Sequence, residues 1–96
     1  MDVNKTAVDD FYTGTGEVSG TPAPIIAPAF SHEALKGVML RASVTNTDPI
    51  YVGPSTTSAA TGYRLTPGEE LLVPVNDPSK VYVVGTPGDG FSWLAV

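Results

Sequence analysis

The sequence contains no cysteine, which excludes disulfide bonds and thiolate metal sites. It has only five Lys or Arg against ten Asp or Glu, a formal net charge of -5, and the basic residues do not cluster. A protein that binds nucleic acid or an anionic membrane surface needs a basic cluster to neutralise phosphates. We therefore expect neither nucleic acid nor a membrane among the partners.

Long apolar runs are also missing, the longest being short stretches such as residues 81–84, whereas roughly 18 apolar residues are needed to cross a bilayer. The amino terminus has no basic segment followed by an apolar stretch, so we expect no secretory signal. Charged residues make up 16% of the 96, well below the roughly 25% usual for soluble domains. With 10 Gly and 9 Pro, this composition is typical of a single small, turn-rich β domain.

The negative charge is concentrated in the first third of the chain, because residues 1–35 carry five acidic residues and one basic residue. This segment also contains three Gly and three Pro, spaced so that no helix or central strand can run through them. Its apolar residues form small clumps without a helical or strand period. We predict an extended, acidic, Pro/Gly-rich arm over residues 1–35 and a compact β domain over residues 36–96.

The compact region alternates apolar and polar residues between turn signals. Val38, Leu40, Ala42 and Val44 fall on one face of the clearest predicted strand, within residues 36–46. Further strands are predicted at residues 50–53, 63–65, 69–75, 80–84 and 91–96, with a type II turn at residues 66–68. The pattern predicts an all-β fold, a small antiparallel β-sandwich or barrel of about six strands. Residues 31–37 are compatible either with one helical turn or with coil.

Residues that commonly carry catalysis are sparse. His32 is the one histidine, and it lies beside a good capping residue, so a solvated or capping role is expected. Glu69 and Glu70 are adjacent and point to opposite faces of a strand, while Asp9 and Asp10 lie in the predicted arm. No stretch has the spacing of a calcium-binding loop. We predict no catalytic residue, no metal, no cofactor and no enzymatic activity.

The last predicted strand is apolar on both faces. Phe91, Trp93 and Ala95 fall on one face, and Leu94 and Val96 fall on the other. A domain of about 60 residues buries only about 60% of its chain surface and is marginally stable. We therefore predict that Trp93, Leu94 and Val96 form a subunit interface and that the protein is a homo-oligomer.

Four segments of the compact region carry a resemblance: residues 50–53 (IYVG), 62–69 (GYRLTPGE), 80–85 (KVYVVG) and 91–96 (FSWLAV). Together they resemble small β proteins of tailed-bacteriophage virions, among them head decoration or cement proteins. The resemblance implies a protein that binds the assembled head shell and stabilises it. It also implies the outer capsid surface as location, the major capsid protein as partner, and a homotrimer.

An extended arm fits that implication, because a segment that cannot fold alone can become ordered on another surface. Apolar side chains would offset the cost of ordering it. The expected contacts with the major capsid protein are the large apolar side chains of the arm, Phe11, Tyr12, Ile25, Ile26 and Phe30.

Two other functions remain open at this point. One is a structural module of a phage tail, fibre or baseplate. The other is a carbohydrate-binding module in which Tyr51, Tyr63 or Trp93 stacks on a sugar ring.

Overall fold

The computed structural model describes residues 11–34 and 36–96, which form two antiparallel β-sheets of four strands each. Two short 3₁₀ turns lie at Pro28–Phe30 and Pro78–Lys80. The strands in chain order are β1 (Tyr12–Glu17), β2 (Ala23–Pro24), β3 (Val38–Ala42), β4 (Ile50–Gly53), β5 (Tyr63–Leu65), β6 (Glu70–Val73), β7 (Tyr82–Val84) and β8 (Gly90–Ala95).

The first sheet has the strand order β1-β8-β3-β6 and the second has the order β2-β7-β4-β5. Every pairing is antiparallel. The predicted all-β sandwich is therefore confirmed, and the strands number eight rather than about six. The predicted turn at residues 66–68 also forms, since Gly68 has φ +87° and the Glu69 N–H donates to the Thr66 carbonyl at 2.9 Å.

A single apolar core lies between the sheets. Strand β3 alternates buried and exposed residues, and its buried side chains Val38, Leu40 and Ala42 face inwards as the sequence period predicts. The core residues shared between the two sheets and the connecting segments are Val18, Ile25, Ala34, Val38, Leu40, Ala42, Ile50, Val52, Leu65, Val81, Val83, Phe91, Trp93 and Ala95.

The described part of the predicted arm belongs to the sandwich. Strand β1 pairs with β8 along six residues, and β2 pairs with β7 along two. Between them, the Val18 N–H donates to the Asp89 carbonyl at 2.8 Å, and the Val18 side chain is buried. The predicted division at residues 35 and 36 therefore does not separate an arm from an independent body. Residues 1–10, including Asp9 and Asp10, lie outside the described residues.

Two glycines explain why β1 can lie on β8. A Cβ atom at Gly14 would come within 2.6 Å of the Trp93 ring, and one at Gly16 would come within 2.7 Å of the Phe91 ring. Both glycines face inwards opposite these aromatic residues in the β1–β8 register. The rings thus occupy the space that side chains on β1 would need, an arrangement in which an aromatic neighbour covers a strand glycine.

The loops at one end of the sandwich are joined by Asp89, a buried carboxylate between β7 and β8. It accepts hydrogen bonds from the backbone N–H groups of Thr47 and Asp48, each at 3.1 Å, and from the Thr47 hydroxyl. The Thr47 N–H is the main cause that lowers the pKa of Asp89, and partial desolvation opposes it. Asp89 therefore fixes the loop between β3 and β4 against the loop before β8.

At the other end, Asp77 holds the turn before β7. It accepts hydrogen bonds from the Ser79 hydroxyl at 2.7 Å, the Ser79 N–H at 3.0 Å and the Ser31 hydroxyl at 3.1 Å. These hydrogen bonds lower the pKa of Asp77, and the two from Ser79 have the largest effect. Ser31 thus ties the segment before β3 to this turn. Residues 31–34, 36 and 37 are not helical, so coil is the correct choice of the two alternatives there.

Candidate interaction surface

The outer face of the first sheet is divided into an apolar half and a polar half. Met39 on β3 lies directly opposite Leu94 on β8 and Leu72 on β6, so the three side chains form one row across the sheet. Val96 continues the outward positions of β8, since it follows Leu94 by two residues. We call Met39, Leu72, Leu94 and Val96 the apolar patch. Met39 is 38% exposed and Leu72 is 53% exposed.

The adjacent row on the same face is polar. Arg41 lies opposite Ser92 and Glu70 in the sheet register. A surface groove of about 560 Å³ begins at this row and extends to the Asp89 loops, and Asn46 is among the residues that line it. The Asn46 side chain is already engaged there, because it accepts from the Gly90 N–H at 2.7 Å and donates to the Gly90 carbonyl at 2.9 Å. Asn46 and Asp89, two of the residues that line this groove, are therefore already engaged in holding the fold.

The structure separates the three residues predicted to form a subunit interface. Leu94 and Val96 are half-buried on the outer face, within the apolar patch. Trp93 is only 6% exposed and belongs to the core, where its ring packs edge-on against Tyr12 with centroids 5.3 Å apart. The expectation for Trp93 is therefore wrong, because strand alternation turns it towards the second sheet.

The predicted capsid contacts of the arm are similarly divided. Ile25 is buried, and its N–H donates to the Val81 carbonyl at 2.9 Å, so it contributes to the core and has no free surface for a partner. Ile26 and Tyr12 are both partly buried against the same core. The Tyr12 hydroxyl also donates a hydrogen bond to the His32 carbonyl. Phe11 and Phe30 are more than half exposed. For Ile25 the expectation is wrong, because the arm packs on its own sandwich.

Met39 and Leu72 are not among the residues that the sequence predicted for an interface. Met39 alternates with the core residues of β3, so its position already placed it on the outer face. Leu72 follows Leu71, and neighbouring strand residues face opposite ways. The usable signal was therefore an apolar residue at an outward position on each of two strands. That these strands are neighbours was not visible, because strand order depends on tertiary pairing.

The aromatic residues considered for sugar stacking do not come together. Tyr51 lies opposite Arg64, whereas Tyr63 lies opposite the buried Val52. Tyr51 and Tyr63 therefore occupy positions on opposite faces of the second sheet. Trp93 lies in the core under the first sheet. These three residues form no common platform, and the structure lends no support to a stacking site built from them.

His32 is exposed, and its ring packs edge-on against Tyr12 with centroids 5.2 Å apart. Its backbone N–H donates to the Tyr12 hydroxyl at 3.0 Å, so the residue fixes the chain before β3 to β1. The adjacent carboxylates Glu69 and Glu70, where β6 begins, have different partners. Glu69 accepts from the Thr66 N–H at 2.7 Å, which is the main cause that lowers the pKa of Glu69. Glu70 instead lies opposite Arg41 on the outer face.

Within residues 11–34 and 36–96, no three His, Asp or Glu side chains are grouped closely enough to hold a metal ion. The same part of the chain has no helix of the length and apolarity that a membrane span requires.

Comparisons with protein-family models, with curated proteins and with solved structures found no match to this chain.

Proposed function

We propose that this protein is a non-enzymatic structural protein that coats the outer surface of a bacteriophage head as a homo-oligomer. The observation that carries the proposal is the apolar patch. Its four side chains lie on the face of the first sheet that points away from the core, where Met39 and Leu72 are exposed and Leu94 and Val96 are half-buried. Contiguous exposed apolar surface of this kind is characteristic of protein association sites. The resemblance to head decoration proteins supplies the shell as partner and the trimer as assembly.

Two features of the molecule support a role in binding rather than in chemistry. Polar side chains such as Asp77, Asp89 and Asn46 are each engaged in holding loops. Only 16% of the residues are charged. Contact with a partner would therefore remove few charged groups from water, and the cost of desolvation would be small. Burial of apolar area contributes about 25 cal/mol per Å². The apolar patch is therefore where association would be most favourable.

The mechanism is mass action. A protein that binds only the assembled shell stabilises that state relative to dissociated subunits. An oligomer multiplies the effect, because each protomer adds a contact to the same shell at high effective concentration. Phe30 is the part of the predicted arm best placed to add a shell contact, since it is 71% exposed at the 3₁₀ turn of Pro28–Phe30.

Quantitative mass spectrometry of purified phage particles tests the proposal. We expect hundreds of copies per particle, because a coat protein repeats across the shell. In particles produced with Leu72→Glu, we expect the copy number to fall at least tenfold. A charge buried without a partner in an apolar contact costs several kcal/mol, and about 1.4 kcal/mol corresponds to a factor of ten.

Ser55→Glu is the matched control, since it adds the same charge on an exposed loop outside the apolar patch. It should keep the wild-type copy number. A few copies per particle would favour the alternative of a tail, fibre or baseplate module. Absence of the wild-type protein from particles, or an unchanged copy number for Leu72→Glu, would overturn the proposal.

A further inference from the structure

The sandwich has four edge strands, and they differ in how well they are protected. An edge strand presents unpaired N–H and C=O groups that can pair with another chain. Strand β2 has two residues and includes Pro24, and β5 has three residues. Strand β6 has four residues, carries Glu70 and is followed directly by Pro74. Short length, proline and charge are the usual protections of an edge.

Strand β1 lacks most of these protections. It runs for six residues, Tyr12–Glu17, contains neither Pro nor Lys, and has its one charge at the last position. Its outward residues Thr13, Thr15 and Glu17 are exposed. Strand β1 is therefore the longest and least protected edge in the described part of the chain.

The pairing pattern identifies which backbone groups of β1 are free. The Val18 N–H donates to the Asp89 carbonyl, so the residues two and four positions earlier, Gly16 and Gly14, also bond to β8. Thr13, Thr15 and Glu17 alternate with them and direct their N–H and C=O groups away from β8. Within residues 11–34 and 36–96, these outward groups have no hydrogen-bond partner.

We propose that this edge pairs with β1 of a second copy of the chain, antiparallel across a two-fold axis at Thr15. The segment Thr-Gly-Thr-Gly-Glu places Thr15 opposite Thr15 of the partner subunit and Thr13 opposite Glu17 of the partner subunit. All three residues with free backbone groups then meet, and each opposed pair exchanges two hydrogen bonds. The two first sheets become one continuous sheet through the contact.

The side chains are compatible with this register. On the outer face, Thr15 meets a second threonine, which is a favourable cross-strand pair. Each Glu17 faces a threonine, so the like charges are not directly opposed. On the inner face, Gly14 lies opposite Gly16 of the partner subunit, so no side chains clash there. The rings of Trp93 and Phe91 already fill the space on the core side of these glycines. A register shifted by one residue would place Thr15 opposite a glycine of the partner subunit, and the free backbone groups would no longer face each other.

This contact is independent of the proposed coat function. It uses the backbone of β1, whereas the coat function depends on the apolar patch on β3, β6 and β8. It joins two protomers edge to edge, which leaves the face that carries the apolar patch open. Either inference can therefore fail while the other holds.

The absence of native cysteine permits a test that is specific for register. In the full chain, Thr15→Cys places two thiols opposite each other at a Cα separation of about 5.5 Å, within the range of about 4.4–6.8 Å that a disulfide requires. We expect a covalent dimer on a non-reducing gel after mild oxidation. Thr13→Cys is the matched control, because its two copies are offset by four residues, roughly 14 Å, and should not link.

Thr15→Pro and Thr15→Val provide a second measurement by light scattering. Proline removes the outward N–H without removing a bond to β8, whereas valine keeps that N–H. We expect the assembly mass of the proline variant to be half that of the valine variant, with circular dichroism showing that both are folded. Equal cross-linking at positions 13 and 15, no cross-linking at 15, or a wild-type mass of 10.0 kDa would overturn the inference.

Discussion

At the scale of single residues, two glycines of β1 are needed because they have no side chain, which leaves room for the aromatic rings of β8. Sequence patterns alone assigned Gly14, Gly16 and Gly20 to the same flexible, extended segment. In the structure, Gly14 and Gly16 lie over aromatic rings, whereas no atom beyond the two chain neighbours lies within 4 Å of a Cβ placed at Gly20. Their roles therefore differ because of a contact with β8, which lies more than 70 residues further along the chain.

We expect Gly14→Ala to destabilise the fold. The new methyl group would approach the Trp93 ring to 2.6 Å, and overpacking of this kind costs about 1–3 kcal/mol. For a domain of this size, each kcal/mol lowers the melting temperature by roughly 4–8 °C. Thermal unfolding followed by circular dichroism measures the change. Gly20→Ala, where the space is open, is the control, and an equal melting temperature for both variants would contradict the role assigned to Gly14.

At the scale of elements, the strands with clear alternation were predicted well. The predictions for residues 50–53 and 63–65 have the same bounds as β4 and β5, and those for β3, β6, β7 and β8 differ by a few residues at their ends. These strands have one face in the core, so their period of two is visible in the sequence. Strands β1 and β2 were missed because glycine and proline occupy their inward or paired positions and remove that signal.

The connection between loops should make stability depend on pH through Asp89. Hydrogen bonds from the Thr47 and Asp48 N–H groups lower the pKa of Asp89 in the folded state. A lowered folded pKa means that the carboxylate stabilises the fold above its ordinary pKa, and that this contribution is lost as pH falls through the folded value. We therefore expect Asp89→Asn to be less stable than wild type near pH 7, with the difference shrinking below about pH 4.

Urea unfolding of both proteins between pH 7 and pH 2.5 gives the two stability profiles to compare. Glu33→Gln is the matched control, because Glu33 is exposed and has no side-chain hydrogen bond in the described chain. It should parallel wild type at every pH. A constant gap between Asp89→Asn and wild type would show that the carboxylate acts by shape rather than by charge.

At the scale of the whole molecule, the first third of the chain has a different role from the one its composition indicates. The sequence predicts that residues 36–96 fold without it, so that deletion of residues 1–30 leaves a folded domain. The structure leads us to expect the opposite, because the deletion would remove β1, β2 and the core residues Val18 and Ile25. It would also uncover Phe91 and Trp93.

We expect the chain that lacks residues 1–30 to be largely unfolded. Burial of Val18 and Ile25 alone contributes about 3–6 kcal/mol, which is comparable to the roughly 5–15 kcal/mol of total stability of a domain. Near-ultraviolet circular dichroism and tryptophan fluorescence of Trp93 report the loss of packing. Deletion of residues 1–10 is the control, since it leaves β1 intact. If the chain that lacks residues 1–30 unfolded cooperatively at the wild-type midpoint, β1 and β2 would not be needed for the stability of the sandwich, and this prediction would be wrong.

The amino-acid sequence by itself determined the all-β class, most strand positions and the placement of Leu94 and Val96 on the face of the last strand opposite Trp93, because each depends on local alternation and turn chemistry. Tertiary structure decided the strand order, the burial of Trp93 and Ile25, and the conversion of an acidic segment into two edge strands. Those outcomes depend on contacts between distant residues, such as Gly14 with Trp93, which no local period records. The assembly of Met39, Leu72 and Leu94 into one row has the same origin, since it required β8, β3 and β6 to be neighbours.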